Sequence, residues 1–218
     1  MNAATEAEVP PEFAQALREL GLAGAGAVTG TPLTGGVSSD IWRIDTPEGP
    51  VCAKRELARL RVAAEWRAPI ESNLYEARWM RVANEAHAGC APRVLGQHPG
   101  LGVLVMSYLP PAGYALWKQQ LRDGHADAAT AREVGHVLGQ IHGHSARQPE
   151  LAAEFDTDRI FFDIRLEPYL LATAQRHPDL ASRLEHLVEV TRSRRVALVH
   201  GDVSPKNILR GARGPGSA

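Results

Sequence analysis

Cysteine is almost missing from this chain. Cys52 and Cys90 are the only two. They form no C-x-x-C pair and cannot build a disulfide framework, which favours a reducing, cytoplasmic home. Long apolar runs are missing as well: none approaches the ~18 residues of a membrane span, so no membrane partner is expected. The first residues, MNAATEAEVPPEF, have neither a basic start nor an apolar stretch and do not read as a signal peptide. A positive surplus is also lacking. Lys and Arg number 24 against 25 Asp and Glu, for a net charge of −1, which argues against a general nucleic-acid binder. The scarcest resource is lysine: of the basic residues only Lys54, Lys118 and Lys206 are lysines. The generic need for positive charge is met by arginine, so each lysine calls for its own explanation. A compact, strongly hydrated ammonium is not imitated by a guanidinium.

What is present is enough for a folded domain. Apolar residues make up 44% of the 218, ample for a core. Pro10 and Pro11 before FAQALREL, with Gly21 after it, bracket a short helix. One weak strand is expected between Gly21 and Gly36. IWRID then alternates apolar and polar residues as a half-buried strand does, TPEG signals a turn, and PVCAKRE follows as the second arm of an antiparallel hairpin. A helical pattern runs from Glu56 to about Ala88 with a break at Pro69. Leu74, Ala77, Trp79 and Val82 are its expected apolar stripe. Residues 92–97 and the near-continuous apolar run 101–109 read as two more strands, the latter buried and stopped by Pro110 and Pro111. From Ala115 to Arg195 the pattern is helical, with breaks near Gly124, across 148–157 and at Pro178. The composition shift at 107–113 divides the chain, giving expected lobes of 1–108 and 109–218. The tail RGARGPGSA offers no core residue beyond alanine.

The segment LVHGDVSPKNIL, residues 198–209, carries the chemistry. Apolar residues flank a polar, turn-rich centre, the arrangement that lets a loop hold side chains rigidly. His200, Gly201 and Asp202 are followed five residues after the aspartate by Asn207. Protein kinases use H-R-D-x-x-x-x-N so that the Asp accepts the attacking hydroxyl's proton and the Asn holds Mg²⁺. With glycine in place of arginine, the sequence resembles the aminoglycoside phosphotransferase / choline kinase-like group of small-molecule kinases. That resemblance implies an α+β, protein kinase-like two-lobe fold, with a β-rich N-terminal lobe and a helical C-terminal lobe. It also implies ATP-dependent phosphate transfer to the hydroxyl of a small molecule, with ATP and Mg²⁺ as cofactors.

The resemblance extends upstream. VCAK places Lys54 where family members keep a phosphate-binding lysine, and Glu65, Glu71 and Glu76 are candidates for its carboxylate partner. NLYEARWM is similar to the family's R-E-A-x-x-L helix, which favours Glu76. LTGGVSSDIW supplies Gly35 and Gly36, whose backbone can approach phosphates closely, and the hydroxyl of Ser38. The strand ending at Ser107, Tyr108 and Leu109 takes the place of the purine-reading hinge. The resemblance thus assigns Asp202 as catalytic, Asn207 to the metal, and Gly35, Gly36, Ser38, Lys54, Glu76, Ser107 and Leu109 to the nucleotide. His136, His142 and His144 have spacings that do not share one helical face, so they are not read as a metal site. FFDIRLEPYL could meet a cationic or sugar acceptor, but an amphipathic structural helix is the preferred reading.

Family members place a second metal-binding acid downstream of the asparagine. The eleven residues after Asn207 contain no acid. The expectation is therefore an incomplete C-terminal lobe with impaired transfer, or alternatively an inert nucleotide-binding pseudokinase fragment. Rival folds lack their signatures: there is no G-x-x-x-x-G-K-[ST], and Gly24-Ala25-Gly26 lacks the third glycine of a dinucleotide fingerprint.

Overall fold

Alternation of apolar and polar residues builds the first half of the molecule into a sheet. The computed structural model describes residues 7–33, 39–56, 72–211 and 214–217. Within it β1 (Ala7–Glu8) and α1 (Pro11–Glu19) are followed by β2 (Thr29–Pro32), β3 (Ser39–Thr46), β4 (Gly49–Glu56), α2 (Ser72–Ala86), β5 (Val94–His98) and β6 (Val103–Ser107). The strands form one six-stranded sheet in the order β1-β2-β3-β4-β6-β5, with antiparallel neighbours throughout. The expected hairpin is β3–β4, closed at the Thr46–Gly49 turn. In β2, Gly30 lies so close to β3 that a Cβ there would meet the Arg43 carbonyl oxygen at 2.4 Å, so only glycine fits.

Strand alternation decides what faces what. Val51 and Ala53 of β4 join Val103 and Val105 of β6, and Ile44 of β3, in a core sealed by Phe13, Ala16 and Leu17 of α1. Phe13 and Leu17 are fully buried, each contributing about 1.5–3 kcal/mol of hydrophobic stabilisation. On the opposite face lie Cys52 and Lys54, paired across the ladder with Met106 and Leu104. The helix α2 packs against β4, β5 and β6. Its buried stripe is Asn73, Ala77, Met80 and Ala83, spaced 3–4 residues apart, with Val82 also buried. Leu74 and Trp79, expected in that stripe, are only half-buried. Asn84 closes the helix: its amide donates to the Met80 and Ala91 carbonyls, while its oxygen accepts from Gly89 N at 3.0 Å.

The second half is largely helical, with an addition. A short strand β7 (Tyr114–Leu116) precedes α3 (Trp117–Arg122) and α4 (Ala128–Ser145). Then come α5 (Leu151–Glu154), α6 (Asp158–Phe161), a π-helical segment (Phe162–Leu171), α7 (Ala172–Arg176) and α8 (Ala181–Ser193). A 3₁₀ turn (Pro205–Asn207) leads into β8 (Ile208–Gly211) and β9 (Gly214–Ser217). The tail, which looked coreless, pairs as a sheet in the order β7-β8-β9. Ala115 and Leu116, at the start of the stretch expected to be helical, join a strand because β8 offers an antiparallel partner, a pairing 93–97 residues distant in sequence (Tyr114 with Gly211, Leu116 with Leu209).

The chain divides into two compact units, one of Met1–Val134 with Ser204–Ala218 and the other of Gly135–Val203, so that the division falls inside α4. In the second unit the buried apolar side chains are Val137, Ile141, Leu166, Ala174 and Val188. The π-helical segment packs on α6, α7 and α8. Its irregularity has a visible cause. Pro168 sits inside the segment, has no N–H to give the Ile164 carbonyl four residues earlier, and crowds it.

Candidate functional site

In the first unit the centre is Lys54. It stands on β4, whose alternation turns it away from the α1 core, and Glu76 lies on the sheet-facing side of α2. Lys54 Nζ donates to Glu76 Oε2 at 2.6 Å. The side chains are 19% and 29% exposed, so the pair is partly desolvated and stronger than a surface ion pair. Glu65 and Glu71, the other candidate partners, lie outside the described residues, as do Gly35, Gly36 and Ser38 of the glycine-rich loop. Cys52, two residues before Lys54 on the same face, has its thiol pushed up to about 11 by burial, against a smaller opposing pull from the Lys54 charge.

The end of β6 is tied down. Ser107 N donates to the Arg93 carbonyl at 2.8 Å, and Ser107 Oγ accepts from Arg93 N at 2.9 Å. The Ser107 amide is thus committed to the protein's own backbone. Leu109 lies beyond the strand's end and is half-buried.

The loop 198–203 is held at its start and at its tip within the second unit. At its start Leu198 N donates to Ser145 Oγ at 2.9 Å. Ser145 is buried at the last turn of α4, where its own hydroxyl donates back to the Ile141 carbonyl at 2.9 Å. At its tip Gly201 adopts φ +80°, with the Phe161 ring 3.4 Å from where a Cβ would stand. Both features explain why glycine occupies the place of the kinase arginine. Asp202 N donates to His200 Nδ1 at 3.2 Å, closing a tight local turn. Arg165, from the π-helical segment, reaches this loop: its Nε donates to the Gly201 carbonyl at 2.9 Å, and its Nη2 lies 3.2 Å from Asp202 Oδ2.

Asn207 and Ser204 belong to the first unit. Asn207 N donates to the Ser204 carbonyl at 2.9 Å in the 3₁₀ turn. The Ser204 hydroxyl oxygen is buried with no hydrogen-bond partner. An orphaned buried hydroxyl beside Asn207 suits a site that completes its bonding with a ligand. Among the described residues no group of three or more His, Cys, Asp or Glu side chains gathers as a metal cage. His136, His142 and His144 all lie on α4, where His136 and His144 are matched with Gln140 and Gln148.

Arg165 and Ser145 were not singled out from the sequence. FFDIRLEPYL drew attention for its acidic and aromatic residues, whereas its arginine is the group that touches the loop. A lone arginine in a helical pattern carries no signal for a contact 37 residues away.

The profile of the phosphotransferase enzyme family matches residues 29–218, and the chain belongs to that family. It is a small-molecule kinase of α+β, protein kinase-like fold. A solved structure from Thermobifida fusca YX-ER1, provisionally described as a fructosamine-3-kinase, shares 17% identity. The similarity covers 96% of this chain and 73% of that one, with a TM-score of 0.58. No curated protein matches the chain. Among the described residues, no helix is long and apolar enough to cross a membrane.

Proposed function

We propose that this chain transfers the γ-phosphoryl group of ATP to the hydroxyl of a small molecule. The observation that carries this reading is the Lys54–Glu76 pair, an oriented, half-buried ammonium on the strand where the family keeps its phosphate-binding lysine. The residues present suit a nucleotide. Lys54, with Gly35, Gly36 and Ser38 of the glycine-rich loop, would take the phosphates, and Glu76 sets the direction of the ammonium. Leu109, past the end of β6, would offer its backbone to the base, with Ser107 anchoring the strand end behind it. Mg²⁺ would neutralise charge on the phosphates when bound. Asn207 would give it one neutral oxygen ligand, and the described residues do not complete a cage.

The transfer itself balances simply. The acceptor oxygen bonds to the γ-phosphorus, the bond from that phosphorus to the bridging oxygen breaks, ADP leaves, and Asp202 takes the hydroxyl proton. Little covalent chemistry is asked of the protein, so positioning dominates. The two free cysteines suit a reducing, cytoplasmic compartment.

ADP release tests the proposal. The acceptor panel starts with fructosamine-type sugar amines, on the strength of the similar solved structure, and extends to aminoglycosides, amino alcohols and other sugars. Turnover with one acceptor class is expected, falling about 10²–10⁴-fold in Asp202→Asn. Undiminished turnover in Asp202→Asn would remove Asp202 from the reaction. ATP binding without turnover on any acceptor would favour the inert nucleotide-binding alternative.

A further inference from the structure

The π-helical segment Phe162–Leu171 delivers one cation to the loop 198–203. Arg165 there makes three directed contacts. Nη1 donates to the Ile164 carbonyl at 3.1 Å, Nε to the Gly201 carbonyl at 2.9 Å, and Nη2 faces Asp202 Oδ2 at 3.2 Å. The first of these holds the guanidinium against its own backbone, which limits the directions in which the planar fork can face the loop. A guanidinium offers five N–H donors in rigid geometry, and a lysine ammonium cannot span a main-chain carbonyl and a carboxylate in the same way. The Arg165 and Asp202 side chains are 31% and 32% exposed, open enough to solvent for an acceptor to approach and shielded enough for a charge-assisted bond to hold.

The glycine of H-G-D fits the same scheme. Gly201 has φ +80° under the Phe161 ring, a conformation that points its carbonyl at Arg165 Nε. Phe161 and Arg165 come from adjoining stretches of one segment, so a single element sets both the turn and the carboxylate.

We propose that Arg165 is the positioning residue of Asp202: its guanidinium fixes the Gly201 carbonyl and one carboxylate oxygen together, and so presents Asp202 in a single orientation to the acceptor hydroxyl. The inference rests on the assignment of Asp202 as proton acceptor, and its test separates the two. Arg165 itself does no proton transfer.

The full chain is compared with Arg165→Ala, Arg165→Lys and Asp202→Asn by two measurements. The first is amide hydrogen exchange of peptides covering 198–204. Arg165→Ala should raise exchange there about tenfold or more, while peptides of α8 and of the β3–β4 hairpin keep the parent rates. Arg165→Lys should fall between. The second is ADP release. Arg165→Ala should lower kcat about a hundredfold, the scale expected for a misplaced catalytic group. KM for ATP should change less than about threefold, and added guanidinium ions should restore part of kcat in Arg165→Ala but none in Asp202→Asn. Unchanged exchange in 198–204 overturns the proposal whatever the turnover. A loosened loop with undiminished kcat overturns its catalytic half. If Asp202→Asn keeps full activity, the assignment of Asp202 fails, and the exchange data still decide whether Arg165 fixes the loop. Should Arg165→Ala not fold, Arg165→Lys and Arg165→Gln give the same comparisons.

Discussion

Replacing Glu76 by glutamine keeps shape and removes only charge, so it isolates what the carboxylate does for Lys54. The pair is 2.6 Å apart with side chains 19% and 29% exposed. Breaking a fully buried pair costs about 3–5 kcal/mol, and an exposed pair contributes about 0–1 kcal/mol. At this exposure we expect Glu76→Gln to cost about 2 kcal/mol in a denaturant titration. If the loosened ammonium loses its place entirely, the same energy appears as about thirtyfold weaker ATP binding, at about 1.4 kcal/mol per tenfold. Two effects compete, because the carboxylate also draws the ammonium away from phosphate. Placement should win, since a free lysine side chain carries about 2 kcal/mol of rotamer entropy that must be lost on binding. Titration calorimetry with ATP decides the matter. Glu76→Gln should weaken binding about ten- to thirtyfold. Lys54→Ala should weaken it further, and Lys118→Ala, at an exposed position, should leave it unchanged. The swap Lys54→Glu with Glu76→Lys should recover stability without recovering ATP binding. Tighter ATP binding by Glu76→Gln, or equal affinities for Lys54→Ala and Lys118→Ala, would refute the reasoning.

Gly201→Ala forces a side chain into φ +80° beside Phe161 and should cost about 1–2 kcal/mol in thermal melts. Gly135→Ala, with open space around the helix, should instead stabilise by roughly 0.5–1 kcal/mol, and equal effects would remove the strain assigned to Gly201. Ser145→Ala deprives Leu198 N of its acceptor at a buried position, so a loss of about 1–3 kcal/mol and faster exchange of the Leu198 amide are expected; an unchanged Leu198 exchange rate would contradict it. Burial raises both the Cys52 and Cys90 thiols from 9.0 to about 11. Raised folded values mean that their contribution is intact below pH 9 and is lost as pH climbs toward 11, which chemical denaturation at stepped pH will show. Rapid iodoacetamide labelling of both thiols in the folded chain at pH 8 would contradict that burial.

Local pattern carried much of the design. The helix after Pro10-Pro11, the β3–β4 hairpin and the buried strand β6 follow from capping, turn residues and period-two alternation, all of which act over a few neighbours. The loop H-G-D-x-x-x-x-N and the lone lysine of VCAK were legible because chemistry restricts those residue types at those spacings. The sequence could also propose Glu76 among three glutamates, since helical similarity ranks candidates without measuring distance. Tertiary structure decided the rest. It turned Ala115 and Leu116 from apparent helix into strand, because β8 supplied a partner, and it made a sheet of a tail poor in core residues, because backbone hydrogen bonds need no large side chains. It shifted the α2 stripe from Leu74 and Trp79 to Asn73, Met80 and Ala83, since the sheet fixes which side of a helix is covered. Above all it joined Arg165 to Asp202 across 37 residues. A guanidinium on a helix has no sequence mark for its target; only the fold, which seats Gly201 beside Phe161, brings the two charges together.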